Sequence, residues 1–362
     1  MYRWGLYNTM KILSVFKEYT IEFIDTIDEI LKLQKMNNTF FVIDEKVYNL
    51  YNKYFTLIED DRLLIIKASE SNKNIDTVLF VCEKMLKLDS KRNTIIVSIG
   101  GGIIQDITGL VANILYRGIK WIYVPTTLLA MCDSCIGGKS SLNFKDFKNM
   151  LGSFYPPDKI YIYLNFVNTL SLEDYYSGLG EVVKFNIIMG EDGIKKINSK
   201  IGSLLSRNNE QLDEFVRNSL QFKKSYIEID EFDKGRRIVL NYAHTFGHAF
   251  ESSSSYQIPH GTSVILGMIT ANAISLQRKY ISEQLASTVE EICKKIIVIK
   301  IVKEWFDPDT IIKAIKKDKK QTNSSISAIL LKSDFSLDIY KDVTPNEILQ
   351  ALDHLLKTLS IS

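Results

Sequence analysis

A chain of 362 residues, 46% hydrophobic and 24% charged, holds enough apolar material for two domain cores, and 18 Gly with only 6 Pro exclude a disordered, collagenous or low-complexity class. Lysine and arginine total 45 against 43 acidic residues, so the net charge of +2 gives no general reason to expect nucleic acid as a partner, and any basic site must be local. No apolar run reaches the roughly 18 residues of a membrane span, and four Cys without a leader pattern lead us to expect a reducing, cytoplasmic setting.

In chain order, NTFFVID (38–44), RLLIIKA (62–68), NTIIVSIG (93–100) and KWIYVPTT (120–127) set β-branched and aromatic residues between polar boundaries and predict strands. DTVLFVCEKMLK (76–87) and the stretch from Asp106 to Leu115 have helical periodicity. Strands alternating with helices predict an α/β domain with a mainly parallel sheet. After one more strand-like run, KIYIYLN (159–165), the texture changes, and from about Ser171 long helical patterns dominate. The expectation is an α/β domain over 1–165 and a mainly α-helical domain over 166–362, with ligands favouring the interface of two such domains.

Between strand IIVSI and the following helix stand Gly100, Gly101 and Gly102, with Asp106 in that helix's first turn. Glycines there allow close approach and positive φ, and a helix N-terminus offers free amides to a pyrophosphate. The pattern is not G-x-G-x-x-G, and glycine-rich strand-to-helix turns also serve packing alone. Further along, three of the four His fall close together. His244 and His248, in NYAHTFGHAFE, are four apart and share a helix face, and His260 opens the next helical pattern. Such imidazoles with one carboxylate suit a catalytic zinc shell with an open position. Glu181, in SGLGEVVKF, is the best carboxylate because apolar helical pattern surrounds it. Read otherwise, these His are buried hydrogen-bonding residues or caps.

Arg117, Lys139, Lys148, Asn149, Lys184, Lys223, Arg237 and Asn241 sit beside glycine turns or apolar pattern, as a phosphorylated, carboxylate-bearing substrate would require, although most lysines in such a chain are simply solvated. KKDKK (316–320) reads as a solvated face. Cys132 and Cys135 spell C-x-x-C without a second pair or a redox context, and all four Cys read as small apolar residues.

GGGIIQD (100–106), YRG (116–118), VPTTLLA (124–130), DSCIGGKSSLN (133–143), KNMLGSFYPP (148–157), SGLGEVVKF (177–185), LNYAHTFGHAFE (240–251) and HGTSVILGM (260–268) resemble, in order, the signature blocks of the 3-dehydroquinate synthase family, within the sugar phosphate cyclases. The resemblance implies an N-terminal Rossmann-like domain and a helical C-terminal domain, with NAD and zinc (or cobalt) in the cleft between them. It implies Glu181, His244 and His260 as metal ligands and His248 as a catalytic, phosphate-binding residue. NAD would lie on Gly101, Gly102, Asp106, Thr126, Thr127 and Lys139, with Asp133 and Lys148 near the nicotinamide ribose, and Thr169, Leu170 and Asp174 on the adenine side. Asp44, Glu70 and Lys73 would continue that site. Lys139, Asn149, Lys184, Asn241 and His248 would hold the substrate phosphate, with Arg117 reaching in from the other subunit of a homodimer, and Lys223 and Arg237 would bind the substrate carboxylate. A DKK segment makes Lys319 and Lys320 further candidates.

The activity so implied is NAD- and metal-dependent cyclisation of 3-deoxy-D-arabino-heptulosonate 7-phosphate to 3-dehydroquinate with loss of phosphate, a shikimate pathway step. Several positions depart from the family's usual pattern, Asp174 among them, where Glu is usual. Thr262 replaces a Glu after His-Gly, Gln105 replaces a smaller residue, Ala243 replaces Gly and Asn165 replaces Asp. These changes would also suit a paralogous cyclase making a cyclitol from sedoheptulose 7-phosphate. A non-catalytic relative and a metal-dependent glycerol or alcohol dehydrogenase are the more distant readings.

Overall fold

The computed structural model describes residues 8–88, 90–145, 147–317 and 326–361; Lys319 and Lys320 lie outside them. The chain divides into two compact units, Met1–Thr169 with Lys224–Phe232, and Leu170–Lys223 with Asp233–Ser362. Nothing in the sequence texture marks the return of 224–232 to the first unit. Its cause is polar and aromatic: Glu228 accepts from the amide of Leu13 at 2.9 Å, and Glu231 from the amide of Val15 at 2.7 Å. Phe232 meanwhile packs edge-on against Phe16 and Phe154.

The first unit carries β1 (Thr9–Leu13), β2 (Glu18–Phe23), α1 (Asp28–Gln34), β3 (Thr39–Asp44), α2 (Glu45–Tyr51), β4 (Leu63–Ile66), α3 (Ile75–Lys87), β5 (Ile95–Gly100), α4 (Gly102–Ile114), β6 (Trp121–Pro125), β7 (Lys139–Phe144), β8 (Phe147–Phe154) and β9 (Lys159–Ile162). One seven-stranded sheet runs in the order β1-β2-β9-β6-β5-β3-β4. All its pairings are parallel except that of the edge strand β1 with β2. Strands β3 and β5 are apolar almost throughout because helices cover both faces of a parallel sheet, whereas β2 alternates buried and part-exposed residues. The chain passes from β3 to β4 on one side and then to β5 on the other. The strand order therefore reverses between β3 and β5, the place where doubly wound sheets bind ligands at their carboxyl ends.

One expectation changes and one element is added. The helix expected from Asp106 starts at Gly102, since glycine tolerates a helix N-terminus, and the blocks around Lys139 and Asn149 form an antiparallel hairpin, β7 with β8, that hydrophobic period did not reveal. The second unit carries α5 (Leu172–Ile188), α6 (Glu191–Leu205), α7 (Asn209–Ile227, its last turn within the first unit), α8 (His244–Ser253), α9 (His260–Gln277), α10 (Glu283–Lys294), α11 (Pro308–Lys317), the antiparallel hairpin of β10 (Ile326–Leu331) and β11 (Leu337–Val343), and α12 (Pro345–Thr358). Helix α9 is its hub: every residue from Gly261 to Ser275 is buried, with α5, α8, α10, α12 and β10 packed around it. A helix apolar on all sides belongs in a core of this kind. Among the described residues no helix is long and apolar enough to cross a membrane.

Candidate active site

In the first unit, the candidate cofactor residues gather at the carboxyl ends of the parallel strands. Asp44 ends β3 and Gly100 ends β5, each one residue past the Ile43–Ile99 pair, and Thr126 and Thr127 follow β6. Gly101, the N-cap of α4, has φ −82° and ψ −168°, so the expected left-handed backbone is not what these glycines supply. They supply room. A Cβ on Gly101 would stand 2.9 Å from Cγ2 of Thr127, and one on Gly100 would stand 2.6 Å from Cγ1 of Ile104. Gly102 faces open space apart from the Ser134 hydroxyl at 3.8 Å, leaving the first turn of α4 accessible to a polar ligand. Gln105 is buried and exchanges two hydrogen bonds with Ser134, donating to its carbonyl at 2.7 Å and accepting from its hydroxyl at 2.8 Å. These bonds anchor a π-helical turn, Ala130–Ser134, that carries Asp133. Cys132 and Cys135 are buried within and just after it, as their apolar reading requires.

Asp106, one turn into α4, joins residues from three other places. Lys73 Nζ lies 2.8 Å from its carboxylate and donates to Asn149 at 2.8 Å, while Ser141 donates its amide to Asp106 at 3.0 Å and its hydroxyl to Asn149 at 3.0 Å. Burial pushes the Asp106 carboxyl up, and the Lys73 ammonium opposes it. Beside this network Glu70 accepts from the Asn143 amide at 2.9 Å and pairs with Lys148 at 3.4 Å. Burial works against the Glu70 carboxylate, but Asn143, Lys148 and Lys73 outweigh it and hold the group below the usual range. Asn149 has φ +56°, a strained conformation held by its bonds in the hairpin.

Other candidates in this unit have local duties. Asp44 caps α2 through the amide of Lys46, and burial raises its carboxyl above the ordinary value. Thr169 shares a hydrogen bond with Tyr51 at 3.0 Å, and Lys139 Nζ lies 5.8 Å over the Phe154 ring. Arg117 is exposed in a turn where Tyr116, Arg117 and Gly118 all have positive φ.

The second unit builds its site on helix crossings made close by missing side chains. A Cβ on Gly261 would lie 1.7 Å from the Ser177 carbonyl, and one on Gly180 would lie 2.3 Å from the Gly261 carbonyl, so α5 and α9 touch backbone to backbone. The Ser177 hydroxyl also accepts from the Gly261 amide at 2.9 Å, satisfying a free N–H in the first turn of α9. The same device joins α8 to α9, where a Cβ on Gly267 would meet the Ala243 carbonyl at 2.3 Å. Ala243 itself, φ +72°, turns the chain into α8 in the left-handed region, a conformation that glycine adopts at less cost than alanine.

These crossings bring Glu181 from α5 and His244 and His260 from the starts of α8 and α9 together, each offering one ligand atom with all three within 4.8 Å. His260 Nε2 and His244 Nε2 stand 3.4 and 3.6 Å from Glu181 Oε1. Around a tetrahedral ion with bonds near 2.1 Å, donor atoms lie about 3.4 Å apart, so two imidazoles and a carboxylate at these separations fit a divalent ion. The other ring nitrogens are engaged elsewhere: His244 Nδ1 meets the Tyr242 carbonyl at 3.0 Å and His260 Nδ1 meets Glu251 at 2.6 Å. Lys184 Nζ, buried, lies 2.5 Å from the second Glu181 oxygen. Burial disfavours a charged His260, yet Glu251 and Glu181 overcome it and raise the imidazole to about 10, as expected of a site that draws positive charge. The His248 ring is 5.4 Å from that of His244 and 6.1 Å from that of His260.

Of the remaining candidates, Lys223 and Arg237 are buried, and Asn241 donates to Ile238 at 3.0 Å. Asp174 is exposed and accepts from the Ser171 hydroxyl at the cap of α5, while the Leu170 carbonyl accepts from Arg207 at 3.0 Å. Asn165 donates to Tyr163. Sequence reading overlooked Ser141, Asn143, Ser134 and Glu251. Only Glu251 carried a signal, since His244, His248 and Glu251 at i, i+4 and i+7 share one helical face.

Residues 63–177 match the family described as 3-dehydroquinate synthase N-terminal, and residues 178–321 match 3-dehydroquinate synthase C-terminal. A 3-dehydroquinate synthase of Clostridium tetani is 33% identical over 96% of this chain and 90% of its own. Among solved structures, a 2-deoxy-scyllo-inosose synthase complexed with carbaglucose-6-phosphate, NAD+ and Co2+ superposes with a TM-score of 0.83 at 24% identity, covering 94% of this chain and 98% of that one. The 2-epi-5-epi-valiolone synthase of Streptomyces hygroscopicus subsp. jinggangensis, with NAD+ and Zn2+ bound, gives 0.84 at 23% identity over 95% and 99%. Those two likenesses establish the fold. With both family descriptions matched in order and a third of the residues shared along nearly the whole length of a relative, this chain belongs to the 3-dehydroquinate synthase family of enzymes.

Proposed function

We propose that the chain converts 3-deoxy-D-arabino-heptulosonate 7-phosphate to 3-dehydroquinate with release of phosphate, in the cytoplasm, using NAD and a divalent ion such as zinc or cobalt. The observation that carries this reading is the convergence of Glu181, His244 and His260 on one point at tetrahedral spacing. When bound, NAD would take and return a hydride while the ion polarises the hydroxyl being oxidised and the ketone that replaces it.

The chain's own residues hold and orient. Gly101, Gly102, Asp106, Thr126, Thr127 and Asp133, together with Asp44, Glu70, Lys73, Lys139, Lys148, Thr169, Leu170 and Asp174, are assigned to NAD. The open first turn of α4 supports this by leaving amide donors for a pyrophosphate. Lys184 steadies the second oxygen of Glu181, which leaves the first to face the two imidazoles. Lys139, Asn149, Lys184, Asn241 and His248 are assigned to the substrate phosphate, and Arg117, exposed in its strained turn, to the same phosphate in the other subunit of a homodimer. In the elimination the carbon beside the oxidised centre gives up a proton, the carbon–oxygen bond to phosphate breaks, and the departing phosphate carries the proton away. Positioned cations that receive the growing charge are the main requirement.

Lys223, Arg237 and Asn241 favour a substrate bearing a carboxylate. Two cations buried in one unit suit a charge-assisted pair with such a group. A paralogous cyclase acting on sedoheptulose 7-phosphate is the second reading, favoured by the departures at Gln105, Ala243 and Thr262. Purified protein supplied with NAD, zinc or cobalt and each sugar phosphate decides between them. Phosphate release and 3-dehydroquinate formation from the heptulosonate are expected. Turnover of sedoheptulose 7-phosphate alone would overturn the assignment.

A further inference from the structure

We infer that Glu251 is the positioning residue of the metal centre: it fixes the tautomer and orientation of His260 and supplies the second negative charge that the centre needs. The inference rests on the metal reading above. Glu251 closes the last turn of α8 with its side chain only 10% exposed, and a carboxylate so buried must be compensated by donors. Two lie on α9. His260 Nδ1 is 2.6 Å from Oε1, and the Ser263 hydroxyl is 3.1 Å from the same oxygen. With Nδ1–H committed to Glu251, Nε2, the nitrogen that faces Glu181 and His244, is the one that would release its proton and offer its lone pair to an ion. A carboxylate in that place also makes the imidazole a stronger donor toward a cation.

The charge at Glu251 matters more because Thr262, buried two residues beyond His260, has none to offer. Ser263, the next residue, shares its single hydroxyl hydrogen between the His260 carbonyl at 2.6 Å and Glu251 at 3.1 Å. One carboxylate thereby links the end of α8 to the first turn of α9, and His260 cannot rotate without breaking that link.

Glu251 with His248 and His260 also forms a second group of ligand atoms within 4.8 Å of one another. Geometry argues against a second ion there. A separation of 2.6 Å between Glu251 and His260 Nδ1 is that of a hydrogen bond, whereas two donors on one tetrahedral ion stand about 3.4 Å apart.

The test is titration of the metal-free full chain with zinc against a chromophoric chelator, and with cobalt followed by its visible absorption, for the unaltered protein, Glu251→Gln and Ser263→Ala. The unaltered chain should bind one ion. Glu251→Gln should bind the same single ion about 10- to 100-fold more weakly, with an altered cobalt spectrum and unchanged far-UV dichroism. Ser263→Ala, which leaves Glu251 in place, should show a smaller loss in the same direction and covers the case in which Glu251→Gln folds poorly. Unchanged zinc affinity in both variants overturns the inference, as does a second ion in the unaltered chain that Glu251→Gln removes. An unaltered chain that binds neither zinc nor cobalt would instead overturn the metal reading on which the inference stands.

Discussion

Replacing Gly261 by alanine places a methyl group where α5 and α9 meet. The new Cβ would stand 1.7 Å from the Ser177 carbonyl oxygen and 2.5 Å from its carbon, both backbone atoms that no side-chain rotation can move. Carbon and oxygen ordinarily approach no closer than about 3.2 Å, so the two helices must part by roughly 1.5 Å. Metal ligands tolerate displacements of about 0.2 Å, and of the proposed ligands Glu181 rides on α5 while His260 rides on α9. The variant should therefore lose about 3 kcal/mol of stability and at least about 100-fold in zinc affinity, a loss of more than 2.7 kcal/mol in binding. Chemical denaturation and chelator-competed zinc titration measure the two effects. Gly202→Ala in α6 is the control of opposite sign: its Cβ meets nothing within 4 Å, so it should gain about 0.5 to 1 kcal/mol from helix propensity and leave zinc binding alone. If Gly261→Ala keeps its stability within about 0.5 kcal/mol and its zinc affinity within threefold, backbone contact between α5 and α9 is not what holds the metal site together.

Ala243→Gly should stabilise the protein by about 0.5 to 1 kcal/mol, because φ +72° costs alanine more than glycine's extra chain entropy does; a lowered melting temperature would refute this. The Arg278 guanidinium, 2.6 Å from Glu347, holds that carboxyl at about 2, helped by the Thr344 cap and opposed by partial burial. A depressed carboxylate contributes stability above its unfolded pKa near 4.5 and loses it as pH falls toward 2. With screening allowed for, about 1 to 2 kcal/mol should fade over that interval, and Arg278→Met should flatten the stability curve there; parallel curves would refute the coupling. Arg237→Ala should raise KM for the heptulosonate phosphate about 10- to 100-fold with zinc content unchanged, the loss expected for one charged hydrogen bond, and an unaltered KM would remove Arg237 from the carboxylate site.

Hydrophobic period alone disclosed the parallel strands β3, β4, β5, β6 and β9, the helix α3 and the long helices of the second unit, because sheets and helices covered on their faces impose that period locally. The ordered motif blocks disclosed the family. They could not disclose that Gly180 and Gly261 serve a single contact, since two residues 81 positions apart reveal their shared purpose only when their helices cross. Nor could local pattern show that Lys73, Asp106, Ser141 and Asn149 form one network, or that residues 224–232 rejoin the first unit through Glu228 and Glu231. The sequence by itself singled out Glu181 and three clustered His as candidate site residues, and it determined the α/β-then-helical plan. Tertiary structure decided which nitrogen of each His faces Glu181 and that the compensating carboxylate is Glu251. The physical reason is that a side chain's type is local, while the orientation of an imidazole is set by the partner of its other nitrogen, and Glu251 reaches His260 only once the chain has turned between α8 and α9.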